Sequence, residues 1–364
     1  MKVILDEVCE RESSNLKQSD VINSNGGYPI YGAAGYIGNV DFYHQGNPYI
    51  AVVKDGAGIG RATLLPAYSS VIGTMQYLIP KSNVLPEYLY YVIRNMHLEK
   101  YYTGATIPHI YFKDYKKETF NLSSIEEQRK IVDILGKVER IIEARTLEME
   151  QFNILIGARF VEMFGNVDTG NYRYKTYKLG DVASVGSSHR VFTTEFVEKG
   201  VPFYRGTEIG ELANGIKPTE PYFISKEQYN RLANDDTKPQ IGDLLMPSIC
   251  NKGQVWMVDT KEPFYYKDGR VLCISPDREI FDTKYLEYFM RVKTLVTYPK
   301  LGSGSTFAEF KIFLLKGIDV LVPPRNLQEQ FADFVRQVDK SKIVGFLKRT
   351  TDTEMYMSKF DSIL

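Results

Sequence analysis

Short apolar runs broken by glycine fill the first third of the chain. "NPYIAVVK" from Asn47, "RATLLP" from Arg61 and "SVIGTMQYLIP" from Ser70 place β-branched and aromatic residues between glycine turns, a pattern that predicts strands. "PEYLYYVIRNMHLEKYY" predicts a helix opened by Pro86, since proline suits a first turn, where its missing N–H would find no partner. Residues Met1 to about Phe120 therefore read as an α+β module whose β part is irregular and rich in glycine.

The texture then switches. From Ser124 to about Phe164 there is no proline, and glycine appears only at Gly136 and Gly157. With Ser124 as N-cap, Glu127 falls at the third helical position and completes a capping box. From Ile131 the apolar positions step by four and three: Ile131, Leu135, Val138, Ile142, Arg145, Met149, Phe152, Ile156, with Arg145 as the single break. That is a coiled-coil period, and a helix of about 40 residues is roughly 60 Å long, so it needs a partner helix. Arg145 either sets the register at some cost in stability or reaches to the rim of a loosely closed pair. Ile134, Ile141 and Leu155 lie outside this seam, more apolar surface than two helices need. A second helix-prone segment begins at Leu327, after Pro323-Pro324, with a seam of Leu327, Phe331, Phe334 and Val338 that Ser341 and Gly345 interrupt.

The chain states its plan twice. "LDEVCERESS" near the start answers "LGDVASVGSS" 174 residues later. "YPIYG" (from Tyr28) answers "VPFYRG" (from Val201), and "PEYLYYVIR" answers "TKYLEYFMR" (from Thr283). "TGATI" (from Thr103) answers "SGSTF" (from Ser303), and "IEEQRKIVDIL" (from Ile125) answers "LQEQFADFVRQV" (from Leu327). The unit is too long for a solenoid repeat. The expected architecture is α+β: two similar α+β modules (1–122 and 166–322), a central long helix (123–165) and a distal helix (323–364) that pairs with it as an antiparallel coiled coil. Helices at equivalent places in a duplication imply a pseudo-two-fold axis.

Composition narrows the class without choosing a function. Hydrophobic residues make up 43% and charged ones 25% of 364, an ordinary globular balance. No apolar run approaches the ~18 residues of a membrane span. The start lacks the basic and then apolar layout of a secretory signal, and Cys9, Cys250 and Cys273 show no CxxC spacing. Reduced thiols and a cytoplasmic location are expected. Lys plus Arg and Asp plus Glu both number 45, and Met1–Phe120 holds 11 of each sign. A DNA-binding chain with this balance must cluster its cations on one face or share the work with a partner.

Two variable α+β modules, each followed by a helix opened by "SIEEQRKIVDIL" or "PPRNLQEQFADFV", closely resemble the specificity subunit of type I restriction-modification systems. The resemblance spans essentially the whole chain. "KDGAGIGRATL" and "GDLLMPSICNKGQVWMV" add to it, being similar to phrases in the family's target recognition domains. It implies a non-catalytic reader of double-stranded DNA, in which each recognition domain takes half of a split target. The long helices would set the spacing and dock two methyltransferase subunits, with motor and nuclease subunits joining through the complex. S-adenosylmethionine, ATP and Mg would belong to those partners and not to this chain. The alternative is a coiled-coil adaptor that reads no DNA.

Other chemistries lack their motifs. The only double proline, in Val322-Pro323-Pro324-Arg325, has neither the Asn/Asp nor the aromatic of an adenine methyltransferase. Gly56-Ala57-Gly58-Ile59-Gly60-Arg61 misses GxGxxG at Arg61 and reads as a strand turn with close backbone approach. There is no GxxxxGK[ST], and His44, His97, His109 and His189 show no metal-ligand pairing.

Base readout calls for Arg, Lys, Asn and Gln on loops, with cations on phosphates. The candidates in the first module are Asn23, Asn25, Tyr31, Lys54, Arg61 and His109. Those in the second are His189, Arg190, Arg205, Asn251, Lys252, Gln254 and Arg270, with "SICNKGQVW" the strongest because three readout types share one short turn. Each could instead be a solvated surface residue or a turn former. Thr106 and Thr306, in the repeated phrase, read as caps supporting a recognition loop, with phosphate contact as the second option.

Overall fold

A computed structural model describes all residues except 22–23, 105–107, 236, 302–307 and 343–364. The described chain divides into two compact units, Met1–Thr146 and the part from Leu147 onward. Asn23, Thr106 and Thr306 lie outside the described residues.

The two units share one plan of three sheets. In unit 1 the strand Lys2–Ile4 pairs antiparallel with Thr119–Asn121, and in unit 2 Thr176–Lys178 pairs antiparallel with Asp319–Leu321. Each pair ties the first strand of a module to its last. Unit 1 then has a four-stranded sheet in the order Cys9–Ser13, Met75–Pro80, Tyr49–Val53, Ala62–Leu65. Unit 2 repeats it as Ala183–Gly186, Val271–Pro276, Leu244–Pro247, Trp256–Met257. A three-stranded sheet recurs as well. Tyr28–Gly32 lies between Gly35–Val40 and the parallel Ser70–Val71, and Val201–Tyr204 lies between Tyr222–Ile224 and the parallel Tyr265–Tyr266. In the parallel registers Tyr31 faces Val71 and Tyr204 faces Tyr266, so "YPIYG" and "VPFYRG" hold the same place.

The copies part where unit 2 adds elements. Unit 1 turns from Gly32 directly to Gly35, whereas unit 2 inserts the helix Gly206–Ala213 there and follows Tyr222–Ile224 with the helix Lys226–Leu232; it also carries an extra hairpin, Gly165–Asn166 with Asn171–Tyr172. The drift in repeat offset is concentrated in the two helical insertions.

The expected helix Pro86 onward forms as Pro86–Asn95. It ends sooner than the sequence suggests because His97 adopts a left-handed φ of 50°, after which Leu98–Tyr101 makes a short 3-10 turn. The glycine turn is a tight backbone crossing. Gly60 has φ +81°, and a Cβ there would lie 2.5 Å from the backbone nitrogen of Glu99.

The long helix runs Ile125–Phe164, and the Ser124 hydroxyl accepts the Glu127 N–H at 3.3 Å. Its start is locked by a buried glutamine. The Gln128 amide donates to the carbonyls of Asn83 (3.0 Å) and Ser123 (2.9 Å), and its oxygen accepts the Leu85 N–H (2.8 Å). Gln328 repeats this at the distal helix, donating to Ile280 (3.0 Å) and Pro323 (2.8 Å) and accepting the Asp282 N–H (3.0 Å). The structural partner of Gln128 is therefore Gln328, and the two phrases match two residues away from the register their letters suggest.

With that register the packing faces agree. Ile131, Leu135 and Val138 are buried, as are their counterparts Phe331, Val335 and Val338. In the distal helix Leu327 and Phe334 are half-buried, and Val335 takes the core position that the letter pattern assigns to Phe334. Ile131, Leu135 and Val138 share one core with Tyr88, Tyr91 and Val92 of their own module. Farther along, Ile142, Arg145, Met149 and Phe152 are only half-buried, and Ile156 is buried again. In unit 2, Phe160 and Phe164 pack on Phe331 (ring centroids 5.4 and 5.6 Å apart), while Lys342 donates to Asn153 at 2.8 Å. Numbers rise along one helix as they fall along the other, so residues 147–164 and 325–342 pack antiparallel. Of the apolar residues outside the seam, Ile141 and Leu155 are exposed and Ile134 is half-buried.

Candidate nucleic-acid interface

In unit 1 the candidates fall into two groups. Tyr31 and Arg61 line a half-open cavity of about 190 Å³, together with the turn Gly32–Gly35, Thr63, Leu65 and Met75. The Arg61 guanidinium donates across it to the Ala33 carbonyl. In unit 2 this face of the sheet is covered: Ile209 and Ala213 of the inserted helix share a core with Leu245, Trp256, Val258 and Val271. The second group centres on Asp55. Lys54 pairs with it, His109 Nδ1 meets it at 2.5 Å, and the His109 ring stacks on the exposed Tyr111. Asn25 is exposed next to Gly26, where a Cβ would collide with the Val40 carbonyl at 1.9 Å.

Unit 2 gathers most of its candidates at the ends of the strands Leu244–Pro247 and Val271–Pro276. Asn251 and Lys252 project from an exposed turn, and the Gln254 carboxamide closes that turn by accepting the Lys252 N–H at 3.0 Å. The Gln254 side chain lies beside Gly210 of the inserted helix. Arg270 sits beside the same turn, with its carbonyl taking the Ser248 N–H at 2.9 Å and its guanidinium on Glu309 at 2.9 Å. Arg205 lies over the Tyr222 ring at 4.5 Å and is bound to Glu208, whose carboxylate also caps the inserted helix. Phe196 stacks on the other partner of this group, Tyr222, at 4.6 Å. His189 and Arg190 lie apart, His189 on Asp235 at 2.7 Å and Arg190 over the exposed Phe192 ring at 5.1 Å.

One comparison gives this geometry a family. The type I restriction modification DNA specificity domain matches the chain twice, over residues 1–151 and 171–345. The chain belongs to that family. The type I restriction enzyme MjaIX specificity subunit of Methanocaldococcus jannaschii is 22% identical over 311 residues, covering 76% of this chain and 68% of that protein. The crystal structure of a type I restriction-modification S subunit from M. genitalium matches with a TM-score of 0.62 and 15% identity, over 100% of this chain and 96% of that one. A chain from a structure describing assembly and conformational transition of the type I restriction-modification system matches with a TM-score of 0.52 and 16% identity, over 100% and 97%. The adaptor reading finds no support in these matches. Among the described residues no helix is long and apolar enough to cross a membrane.

As a specificity subunit with zero net charge, the chain needs an account of where its cations go. Five of the eight Lys, Arg and His candidates lie against a local carboxylate: Lys54 and His109 on Asp55, His189 on Asp235, Arg205 on Glu208, and Arg270 on Glu309. The hydrogen bond from His189 holds the Asp235 carboxyl down at about 2, and Glu309 is held below the usual carboxylate range by Lys311 with Arg270. Where both partners are exposed, as in His189–Asp235, a phosphate or base edge can displace the pair cheaply, whereas the buried Glu208 carboxylate depends on Arg205. Arg61, Arg190 and Lys252 have no carboxylate partner among the described residues. Sequence reasoning passed over Asp55, Asp235 and Glu309 because it sought cations and amides. A carboxylate can accept from the cytosine amine, so these three belong among the candidates. Burial pushes the Cys250 thiol up to about 11, which suits packing beneath the turn and not reactivity.

Proposed function

We propose that this chain reads a bipartite double-stranded DNA target, one half with each recognition domain, as the non-catalytic specificity subunit of a type I restriction-modification complex. It directs methyltransferase subunits to adenines within the target, and motor and nuclease subunits join through the complex. S-adenosylmethionine, ATP and Mg serve those partners. The observation that carries this reading is the pairing of a repeated framework with non-repeated loops. The sheets match strand for strand, while the candidate contacts differ: a cavity rimmed by Arg61 in unit 1, and the Asn251–Gln254 turn with Arg205 and Arg270 in unit 2. Two readers on one plan with different side chains suit a split target of two unlike halves.

Equilibrium binding by the chain assembled with its methyltransferase subunits tests the residue roles. Asn251→Ala should relax the preference at one position of one half by about 1–3 kcal/mol, as loss of a bidentate base contact does. Lys252→Ala should weaken all duplexes about equally and lower the salt slope by about 1. Binding that neither substitution alters would contradict the placement of this turn on DNA.

A further inference from the structure

The turn that carries Asn251 and Lys252 is braced from behind by one helix, Thr283–Thr297. Gly253 has φ +66°, and a Cβ there would sit 2.8 Å from the Arg291 carbonyl, so the turn rests directly on the helix backbone. The Cys250 thiol lies 3.6 Å from the Thr294 hydroxyl. The Arg291 guanidinium does the joining. Its Nε donates to the Val255 carbonyl at 3.0 Å, and its terminal nitrogen donates to the Ala213 carbonyl, at the end of the inserted helix, and meets Glu287 at 3.1 Å. A planar fork of five donors can hold three acceptors from three segments at fixed angles, which a lysine cannot do.

The same group reaches the distal helix. Glu287 is 5% exposed, and a buried carboxylate depends on its partners. Lys284 bridges it at 3.0 Å to Asp339, which it meets at 3.1 Å. Asp339 in turn meets Lys342, the residue bonded to Asn153 of the long helix. An unbroken polar chain thus runs from the turn to both helices of unit 2.

The duplication shows what is special here. "YLYYVIR" and "YLEYFMR" place Arg94 and Arg291 at the same point, and Glu139 and Asp339 also correspond. In unit 1, Arg94 meets Glu139 of the long helix directly, at 2.5 Å. In unit 2 the arginine has turned toward the loop, and Lys284 makes the link to Asp339 in its stead.

We infer that Arg291 is the positioning residue of the second recognition domain, holding the Cys250–Val255 turn in its reading posture and tying that posture, through Glu287 and Lys284, to the distal helix; this rests on the reading of that turn as a DNA contact. Without the fork the turn still forms, but Asn251 no longer meets its base edge at a fixed angle.

The test uses the full chain assembled with methyltransferase subunits, carrying Arg291→Lys or Arg291→Ala. Binding is measured to the cognate duplex, to duplexes mismatched in each half, and to an unrelated duplex, with melting temperature recorded alongside. Both variants should lower discrimination within the second half tenfold or more, leaving the first half and the unrelated duplex unchanged. Lysine should not rescue discrimination even where it restores the melting temperature. Unchanged discrimination in the second half, or an equal loss on every duplex, would overturn the inference. Asn251→Ala with Lys252→Ala, run in parallel, separates the two layers. If that pair leaves the second half intact, the turn is not the reader and both ideas fall. If it relaxes the second half and the Arg291 variants do not, only the positioning role falls.

Discussion

Gln128 and Gln328 show how much one neutral side chain can decide. Each is fully buried, and each satisfies three backbone groups where a long helix leaves its module. Removing one such partner leaves buried donors and acceptors without a substitute. Gln328→Leu should therefore destabilise by at least about 2 kcal/mol, lowering the melting temperature of that unit by roughly 4–8 °C in calorimetry. Gln330→Leu, at an exposed position, should stay within about 0.5 kcal/mol of the parent. Equal losses at both positions would contradict the register drawn here. The sequence made the repeated phrase plain but not its register, because the second copy holds glutamines at both 328 and 330 and only burial tells them apart. The ion pairs were less legible still. His109 and Asp55 are 54 positions apart, as Arg270 and Glu309 are 39, and no local pattern joins them.

Among the elements, the long helix carries two kinds of surface under one period. The steps of four and three from Ile131 were readable without a structure, since the apolar spacing of a helix follows from its turn. What the period could not say is which element each stretch meets. Ile131, Leu135 and Val138 complete the core of the first module, and Phe160 and Phe164 join the second. Met149, between them, is half-buried. Leu135→Ala should thus cost about 2–5 kcal/mol and Phe331→Ala about 3–5 kcal/mol, whereas Met149→Ala should cost about 1 kcal/mol or less. Denaturant midpoints read at constant slope check this order. A uniform cost along the seam would mean that it is one continuous coil and not two module cores linked by a looser middle. The strands around the glycine turns were also legible, with Tyr49–Val53 and Met75–Pro80 falling inside the expected runs. The inserted helix Gly206–Ala213 was not, because its hydrophobic residues serve a sheet face that in unit 1 stays open to the cavity.

At the scale of the whole molecule, the duplication is the feature that organises everything else. It was visible in the letters, and the matching sheet orders give it physical content. Specificity then has to reside where the copies differ, since a shared framework cannot distinguish two half-sites. Zero net charge fits the same division of labour. With no net charge on the chain and three of its six candidate Lys and Arg residues matched by carboxylates, little non-specific attraction to phosphate is expected of the chain alone, and the proposed reading assigns affinity to the assembled complex and discrimination to the loops.

The most direct test is methylome sequencing of a host that expresses this chain with its methyltransferase subunit, against the same host without the chain. The account predicts a split motif methylated on both strands only when the chain is present, with changes in Asn251–Gln254 altering one half and sparing the other. An active methyltransferase whose motifs do not depend on the chain would contradict it.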